Sequence, residues 1–313
     1  MSKIQDALRK IQGTQSGGST ATQSKPLSEQ EPTVPSQFAK LTTIEVDPND
    51  SQVLEDLRLI EIDRVVLRQN GFLAPEAQER SMADQYRLIK RPILENVRLQ
   101  VPPQEGVSPM NLIMVASALS GDGKTFTCIN LALSVATEKD TSVLLVDADV
   151  AKPHISTLLG IDDQPGLIDL LTTENMDPES AVIRTDIPGL SVLPAGQVHP
   201  NANELLASRR MARVVSALSL NDPSRVVIFD SPPILPTSES RVLAMSMGQI
   251  VMVVRAGHTP QHAVTEALDS LDHSKAINLV LNQAANGFGS DGYGMYGYGY
   301  GHRPAAEVAN DAD

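Results

Sequence analysis

Short apolar runs alternate with amphipathic stretches from residue 111 onward. The apolar runs are typical of buried strands and predict strands at 112–116, 142–147, 190–193, 225–230, 249–254 and 277–281. The stretches between them repeat apolar residues with a helical period, which predicts helices near 124–138, 203–219, 239–247 and 260–272. This alternation predicts an α/β fold in which helices cover both faces of a mostly parallel sheet.

The same pattern divides the chain into four regions. Residues 1–40 predict a short helix followed by a linker rich in Gly, Ser, Thr, Gln and Pro. Residues 41–100 regain apolar spacing and predict two helical pieces, the second over roughly 75–90. Residues 101–285 are predicted to form the main domain, and residues 286–313 a flexible tail, because alternating Gly and Tyr cannot build a core.

A glycine-rich segment joins the first strand of the main domain to its first helix. Residues 118–125 read A-L-S-G-D-G-K-T, which predicts a phosphate-binding loop whose backbone N–H groups face phosphate oxygens. Lys124 would reach the terminal phosphates, and Thr125 would bind Mg²⁺ through its hydroxyl. The remaining candidates for nucleotide binding in this segment are Ser120, Gly121, Asp122, Gly123 and Phe126. Because Ala118 replaces the usual first glycine, the prediction depends on the neighbouring strands.

Two of those strands end in acidic residues. The run 143–147 ends at Asp147, which Asp149 follows, and the run 226–230 ends at Asp230. The carboxyl ends of parallel strands meet at one edge of a sheet, where α/β proteins bind their ligands. Any one of these carboxylates could instead cap a helix or lie in a solvated loop. Together, beside a phosphate loop, they predict a site for ATP and Mg²⁺.

Composition narrows the function classes. The formal net charge of -13 argues against a general nucleic-acid binder, since phosphate backbones would be repelled. Cys128 is the single cysteine, so no intramolecular disulfide can form. No apolar run approaches the roughly 18 residues of a membrane span, and no signal peptide is recognisable. We therefore expect a cytoplasmic protein, or one held at a membrane through a partner.

Four of the five tyrosines lie close together near the C-terminus, at Tyr293, Tyr296, Tyr298 and Tyr300. On a flexible tether these phenols are accessible, as a phosphoryl acceptor must be. Three other interpretations are a sticky low-complexity tail, a segment that stacks on nucleic acid, and an end without consequence. Beside an ATP site, the tail becomes a candidate substrate.

These motifs together resemble the bacterial tyrosine autokinases of exopolysaccharide and capsule synthesis. That family's loop reads like S-A-x-P-G-E-G-K-S, its second motif like D-A-D-x-R-K-P and its third like D-x-P-P. The corresponding segments here are S-A-L-S-G-D-G-K-T at 117–125, D-A-D-V-A-K-P at 147–153 and D-S-P-P at 230–233. The resemblance covers about residues 81–301 and also includes the tyrosine cluster. The sequences of 72–94 and 251–262 look most like the branch of this family that is found with exosortase-linked exopolysaccharide loci.

The resemblance implies an ATP-dependent tyrosine kinase that phosphorylates its own tail in trans and regulates polysaccharide polymerisation or export. Asp147 and Asp230 would hold Mg²⁺ with Thr125, and Asp149 or Asp147 would take the phenolic proton. Asn282 and Arg255 would contact the nucleotide base.

The resemblance also implies partners. The segment 84–90, D-Q-Y-R-L-I-K, resembles the family's oligomerisation motif E-x-x-R-x-x-R, and its spacing predicts Asp84, Arg87 and Lys90 along one side of a helix. A solvated helix face is the alternative. The expected partners are further copies of the chain, in a homo-oligomer such as a ring, a membrane polysaccharide co-polymerase as activator, and a tyrosine phosphatase. The expected location is the inner face of the plasma membrane.

Two rival functions keep the nucleotide site. A partitioning or positioning ATPase of the deviant phosphate-loop class would hydrolyse ATP with water, but such proteins typically carry a lysine where this chain has Leu119. A nucleotide-sensing scaffold would use the tyrosine tail only to bind a partner.

Overall fold

The computed structural model describes residues 39–42, 59–72, 80–99, 108–222 and 224–284. Within them, one sheet contains nine strands. In chain order these are β1 Ala39–Thr42, β2 Leu59–Ile62, β3 Leu112–Ser117, β4 Ser142–Asp147, β5 Ile183–Thr185, β6 Leu190–Leu193, β7 Arg225–Asp230, β8 Gln249–Arg255 and β9 Ala276–Asn282.

The strands lie in the order β1-β2-β5-β6-β4-β7-β3-β8-β9. The six strands from β6 to β9 in this order are all parallel to one another. β5 is antiparallel to β6 and parallel to β2, and β1 is antiparallel to β2. Near-continuous apolar runs suit the central strands because helices bury both of their faces.

Nine helices surround this sheet in the described part of the chain. They are α1 Arg64–Gln69, α2 Arg80–Arg98, α3 Lys124–Val135, α4 His154–Leu159, α5 Leu167–Thr172, α6 Ala202–Leu206, α7 Arg209–Leu220, α8 Glu239–Met245 and α9 Gln261–Asp269, with a 3₁₀ turn at Pro178–Ala181.

The core consists of two layers, one on each face of the sheet. Side chains alternate between faces along a strand, so Leu112 and Met114 of β3 enter one layer while Ile113 and Val115 enter the other. Helices α5 to α9 complete the first layer, and α1 to α4 complete the second. The predicted doubly covered, mostly parallel sheet is confirmed.

The strands predicted in the main domain agree with the observed strands within one residue at each end. The predicted helix at 203–219 is two helices, because Ala207 and Ser208 interrupt it and the Ser208 hydroxyl caps α7 by accepting the Met211 N–H at 3.2 Å. The purely helical interpretation of 41–100 was wrong, since Leu59–Ile62 joins the sheet as a strand. The short helices α4 and α5 were not predicted.

The structure also corrects the arrangement expected for the charges of α2. Asp84 and Arg87 form an exposed ion pair at 2.6 Å. Lys90 is only 4% exposed, and its ammonium donates to the Ser134 carbonyl at 2.6 Å and pairs with Glu138 at 2.8 Å. A residue six positions along a helix is rotated by about 120° from the first, which explains why Lys90 faces α3 rather than solvent.

These contacts predict that Lys90 stabilises the fold whereas Arg87 does not. Lys90→Met keeps the length of the side chain but leaves the Ser134 carbonyl and Glu138 without their cation, so we expect a loss of about 1–3 kcal/mol in the free energy of unfolding. The matched change Arg87→Met, on the exposed face of the same helix, should alter it by less than about 0.5 kcal/mol. Urea denaturation at low protein concentration measures both, and equal losses would contradict this assignment.

Candidate functional site

The loop between β3 and α3 has the backbone geometry of a phosphate-binding loop. Gly121 and Gly123 adopt φ angles of 84° and 93°, which glycine adopts without strain. Ala118 is buried and has no positive φ, which explains why the usual first glycine is dispensable here. No side chain of the described residues caps the N-terminus of α3, which leaves its first N–H groups for an anion.

The end of β9 closes over this loop. The Asn282 side-chain amide donates to the Asp122 carbonyl at 2.9 Å. A Cβ on Gly123 would lie 2.0 Å from the same amide nitrogen, so any other residue at this position would displace the Asn282 side chain. Asn282 therefore contacts the loop itself, and its side-chain oxygen accepts the Gln283 N–H at 2.9 Å. The predicted contact with a nucleotide base is not tested by these bonds.

The first two residues of α3 carry the polar groups expected of the motif. Lys124 is 8% exposed. Burial raises the pKa of the Asp149 and Asp230 carboxyl groups, and the charge of Lys124 opposes that rise. The Thr125 hydroxyl donates to Asp230 Oδ2 at 2.6 Å. The loop and the end of β7 thus meet at one point, as the sequence predicted.

Asp147 lies directly beside Asp230, because the two residues are paired across β4 and β7. Asp147 Oδ2 accepts both the backbone N–H and the hydroxyl of Ser156, at 2.8 and 2.7 Å. Ser156 Oγ in turn accepts the Ala195 N–H at 3.0 Å. The first turn of α4 and the turn after β6 therefore fix the orientation of this carboxyl group.

Burial changes the acidity of these carboxyl groups. It raises the pKa of Asp147 to about 8, with repulsion from Asp230 as the second cause. It raises the pKa of Asp230 to about 7, although the hydrogen bond from Thr125 and the charge of Lys124 oppose the shift. Burial also raises the pKa of Asp149, against the charge of Lys124. Three acids in one place are thus costly to ionise without added positive charge.

The two buried carboxyl groups fit a divalent cation. Asp147 Oδ1 and Asp230 Oδ1 are buried and have no hydrogen-bond partner among the described residues. Two adjacent hard oxygen ligands with a threonine hydroxyl match the preference of Mg²⁺. Within the same residues no three acidic, histidine or cysteine side chains converge as a complete metal cage. The protein would thus supply part of the coordination shell, with phosphate and water supplying the rest.

Asp149 lies two residues beyond the strand and is less constrained. Its Oδ1 accepts the Lys152 N–H at 3.3 Å, a long contact, and its residue is 8% exposed. Burial raises the pKa of its carboxyl group. The charge of Lys124 opposes this most strongly, followed by the hydrogen bond from the Lys152 N–H and by the charges of His154 and Lys152. Its carboxylate is therefore near the loop lysine without being held in one orientation.

Two other predicted site residues have contacts of their own. The Phe126 ring packs against Phe72, with ring centroids 5.4 Å apart, so its side chain belongs to the core and only its backbone could serve a nucleotide. The Arg255 Nε donates to the Gln283 side chain at 2.8 Å, at the carboxyl end of β8. Neither side chain joins the cluster of Lys124 and the three carboxyl groups.

Sequence reasoning missed Ser156 and Thr259. The start of α9 was predicted at residue 260, and the start of α4 could have been predicted from Pro153, which precedes it. No local signal shows that Ser156 contacts Asp147, because nine residues and a turn separate them. Thr259 contacts Asp122 across 137 residues.

The candidate phosphoacceptors Tyr293, Tyr296, Tyr298 and Tyr300 lie outside the described residues. In the part of the chain that the structure describes, no helix has the length and apolar character to cross a membrane.

Comparison with known proteins identifies the family. The family model described as an AAA domain matches residues 110–280. The tyrosine-protein kinase YwqD of Bacillus subtilis is 33% identical over 191 residues, which cover 60% of this chain and 78% of YwqD. EpsB of Ralstonia nicotianae is 33% identical over 243 residues, and the match covers 72% of this chain but only 31% of EpsB.

A solved structure agrees with this result. The kinase domain of VpsO superposes with a TM-score of 0.54 at 29% identity, covering 66% of this chain and 98% of that domain. The region matched by the family model, residues 110–280, includes the loop, both acidic strand ends and the strands that position them. The chain belongs to the bacterial tyrosine-protein kinase family and has its P-loop NTPase-type α/β fold.

Proposed function

We propose that this chain is an ATP-dependent protein-tyrosine kinase that phosphorylates the tail tyrosines of a neighbouring copy. One observation carries the proposal: Lys124, the Thr125–Asp230 pair and Asp147 converge at the carboxyl edge of the sheet beside an uncapped helix N-terminus. Such a site combines donors for phosphate with oxygen ligands for a cation. The family relationship favours transfer to tyrosine as the reaction.

The loop and Lys124 would perform the electrostatic part of the reaction. Phosphoryl transfer is catalysed mainly by positioning and by neutralising charge on the phosphate oxygens. Lys124 and the N–H groups at the start of α3 supply positive potential at a site that excludes most water. Mg²⁺, held by Thr125, Asp147 and Asp230, would supply further positive charge on the phosphate oxygens.

Asp149 is the better candidate to accept the phenolic proton. Asp147 faces Asp230, and Ser156 fixes its second oxygen, which suits a metal ligand. Asp149 makes one long backbone bond, and burial raises the pKa of its carboxyl group, which increases its basicity when ionised. We therefore assign metal binding to Asp147 and orientation or deprotonation of the tyrosine to Asp149.

Assembly would use the exposed face of α2. Asp84 and Arg87 already pair on this face and could exchange partners with a second subunit, whereas Lys90 is occupied within its own subunit. A homo-oligomer such as a ring would bring one tail to a neighbouring site. Each phosphate adds about -1.5 to -2 charges, so several of them on one tail would repel an acidic neighbour and loosen the assembly.

The broader role rests on the family resemblance. We propose that cycles of assembly and phosphorylation regulate exopolysaccharide polymerisation or export. A membrane co-polymerase would activate the kinase at the inner face of the plasma membrane, and a tyrosine phosphatase would reverse the modification. Placement in the exosortase-linked branch remains a prediction, and the net charge of -13 disfavours nucleic acid as a partner.

The rival functions predict different products from the same site. A positioning ATPase would release phosphate without modifying itself, and a scaffold would do neither. Leu119 occupies the position at which such ATPases typically carry a lysine, and it packs against the core. An aliphatic side chain cannot supply the positive charge that this lysine adds to the charge of Lys124, and this disfavours the ATPase.

Incubation of the full chain with γ-labelled ATP, Mg²⁺ and the activating membrane segment should place label on the tail. Changing Tyr293, Tyr296, Tyr298 and Tyr300 together to Phe should remove most of it, because the acceptor hydroxyls are lost. Lys124→Met should lower the rate by about 10²–10³-fold, since one preorganised charge at the transferring group is missing. Removing Mg²⁺ with EDTA should abolish transfer.

Tyr86→Phe is the matched control for the tail substitutions, because this tyrosine is buried in α2 and its hydroxyl is bonded to Thr127 and Asn130. The Tyr86→Phe variant should incorporate label on its tail as the wild-type chain does. Free phosphate without labelled protein would point to the ATPase, and equal labelling of the four-Phe variant would show that the acceptors lie elsewhere.

Separate Asn substitutions at Asp147 and Asp149 distinguish their roles. Asp147→Asn should weaken the Mg²⁺-dependent part of nucleotide binding, because an oxygen ligand is replaced by an amide. Asp149→Asn should leave binding within about threefold and lower the transfer rate by about 10²-fold or more, as loss of a general base does. Nucleotide titration with and without Mg²⁺, beside labelled transfer, measures both. The opposite pattern would exchange the two assignments.

A further inference from the structure

Asp122, in the middle of the phosphate loop, has a fully buried carboxylate. Its residue is 0% exposed. One oxygen accepts the Thr259 hydroxyl at 2.7 Å, and the other accepts the Leu119 N–H at 3.3 Å. These bonds direct the carboxylate into the protein rather than toward a ligand.

The Thr259 hydroxyl continues the chain of bonds. It accepts the Arg255 N–H at 2.9 Å, while the Thr259 N–H donates to the Arg255 carbonyl at 3.0 Å. Thr259 lies in the turn between β8 and α9 and is itself buried. A hydroxyl that both donates and accepts thus connects the loop to the end of a neighbouring strand.

A negative charge within a phosphate-binding loop opposes the binding of phosphate. Coulomb repulsion between the two is strong in a buried site. The presence of this carboxylate is therefore explained only if its bonds favour nucleotide binding in another way. They hold the loop residues 119 and 122 against the turn at 255–259 in the conformation that leaves the N–H groups at the start of α3 free for an anion.

The position of this connection follows from the sheet. The metal ligands Asp147 and Asp230 end β4 and β7, on one side of β3, whereas β8 and β9 lie on its other side. A triphosphate that follows the loop, with its terminal group beside the metal ligands, would extend toward the opposite side of the loop. The nucleoside would then approach the ends of β8 and β9, the segment to which Asp122 ties the loop.

We propose that Asp122 is a positioning residue that acts through Thr259 to hold the phosphate loop and the β8–α9 turn as one unit before the nucleotide binds. A loop that is already ordered loses less conformational entropy on binding, so the connection raises nucleotide affinity. The inference rests on the proposed function only in taking a nucleoside triphosphate as the ligand.

The decisive comparison is Thr259→Ser against Thr259→Ala, which differ by one hydroxyl group. Binding of a fluorescent ADP analogue with Mg²⁺ to the full chain measures the affinity. Thr259→Ala should bind about tenfold more weakly than wild type, and Thr259→Ser should stay within about threefold. Thr259→Val, which keeps the shape of threonine, gives the same test should alanine destabilise the turn. Equal affinities of the Ser variant and the hydroxyl-free variants would overturn the proposal.

Asp122→Asn tests the sign of the effect. Removing a negative charge beside phosphate predicts tighter binding on electrostatic grounds alone. The positioning role predicts weaker binding, by about tenfold, because the amide N–H₂ either opposes the Leu119 N–H or, turned the other way, leaves the Thr259 hydroxyl proton without its acceptor. The double variant with Thr259→Ala should bind no more weakly than the weaker single variant, since both break one chain of bonds. Tighter binding by Asp122→Asn, or additive losses, would contradict the proposal.

Kinetics separates this inference from the proposed function. In labelled transfer to the tail, Thr259→Ala should raise the KM for ATP about tenfold and change kcat by less than about threefold. A wild-type chain that binds nucleotide but labels no tyrosine would end the kinase proposal and leave the binding comparison valid. If the wild-type chain labels its tail but Thr259→Ser and Thr259→Ala bind the nucleotide equally well, the kinase proposal stands and only the positioning role of Asp122 is overturned.

Discussion

The placement of two carboxyl groups side by side in the interior is the constraint on which the site depends. Asp147 and Asp230 end adjacent strands, and each is fully buried. Burial disfavours the charged form of each and raises the pKa values of Asp147 and Asp230 to about 8 and 7, with repulsion from Asp230 adding to the shift at Asp147 and repulsion from Asp149 adding to the shift at Asp230. Positive charge brought between them lowers that cost. A bound cation would therefore stabilise this part of the fold.

The phosphate loop beside these carboxyl groups is held by contacts that are distant in sequence. The Thr125 hydroxyl connects its end to β7, and Asn282 connects its middle to β9. The φ angle of 93° at Gly123 favours glycine, and a side chain there would also displace Asn282. The geometry of this local motif is thus set by contacts with β3, β7 and β9. A glycine-rich loop that occurs by chance would not have these contacts.

Much of this arrangement could be predicted from sequence because its signals are local. Apolar runs that end in Asp147 and Asp230 mark buried parallel strands, and a glycine-rich segment between a strand and a helix marks the loop. Contacts such as Asp147–Ser156 and Asp122–Thr259 could not be predicted, because they depend on how the turns after β4 and β8 meet the loop. The strand Leu59–Ile62 was missed because four residues are too short to show a period.

Lys90 shows how a spacing rule can fail and still identify an important residue. The spacing of Asp84, Arg87 and Lys90 predicted one charged side, but the rotation of the helix turns Lys90 toward the end of α3. Near the beginning of α3, the buried Tyr86 hydroxyl bonds to Thr127 and Asn130, and burial raises its pKa to about 12.

Helix α2 is therefore joined to α3 at two levels, and α3 begins with the lysine of the phosphate loop. A subunit contact on the exposed face of α2 would act on a helix that is packed directly against this element. Because close-packed helices transmit displacement rather than absorb it, the proposed subunit contact on α2 would be coupled through α3 to the phosphate loop.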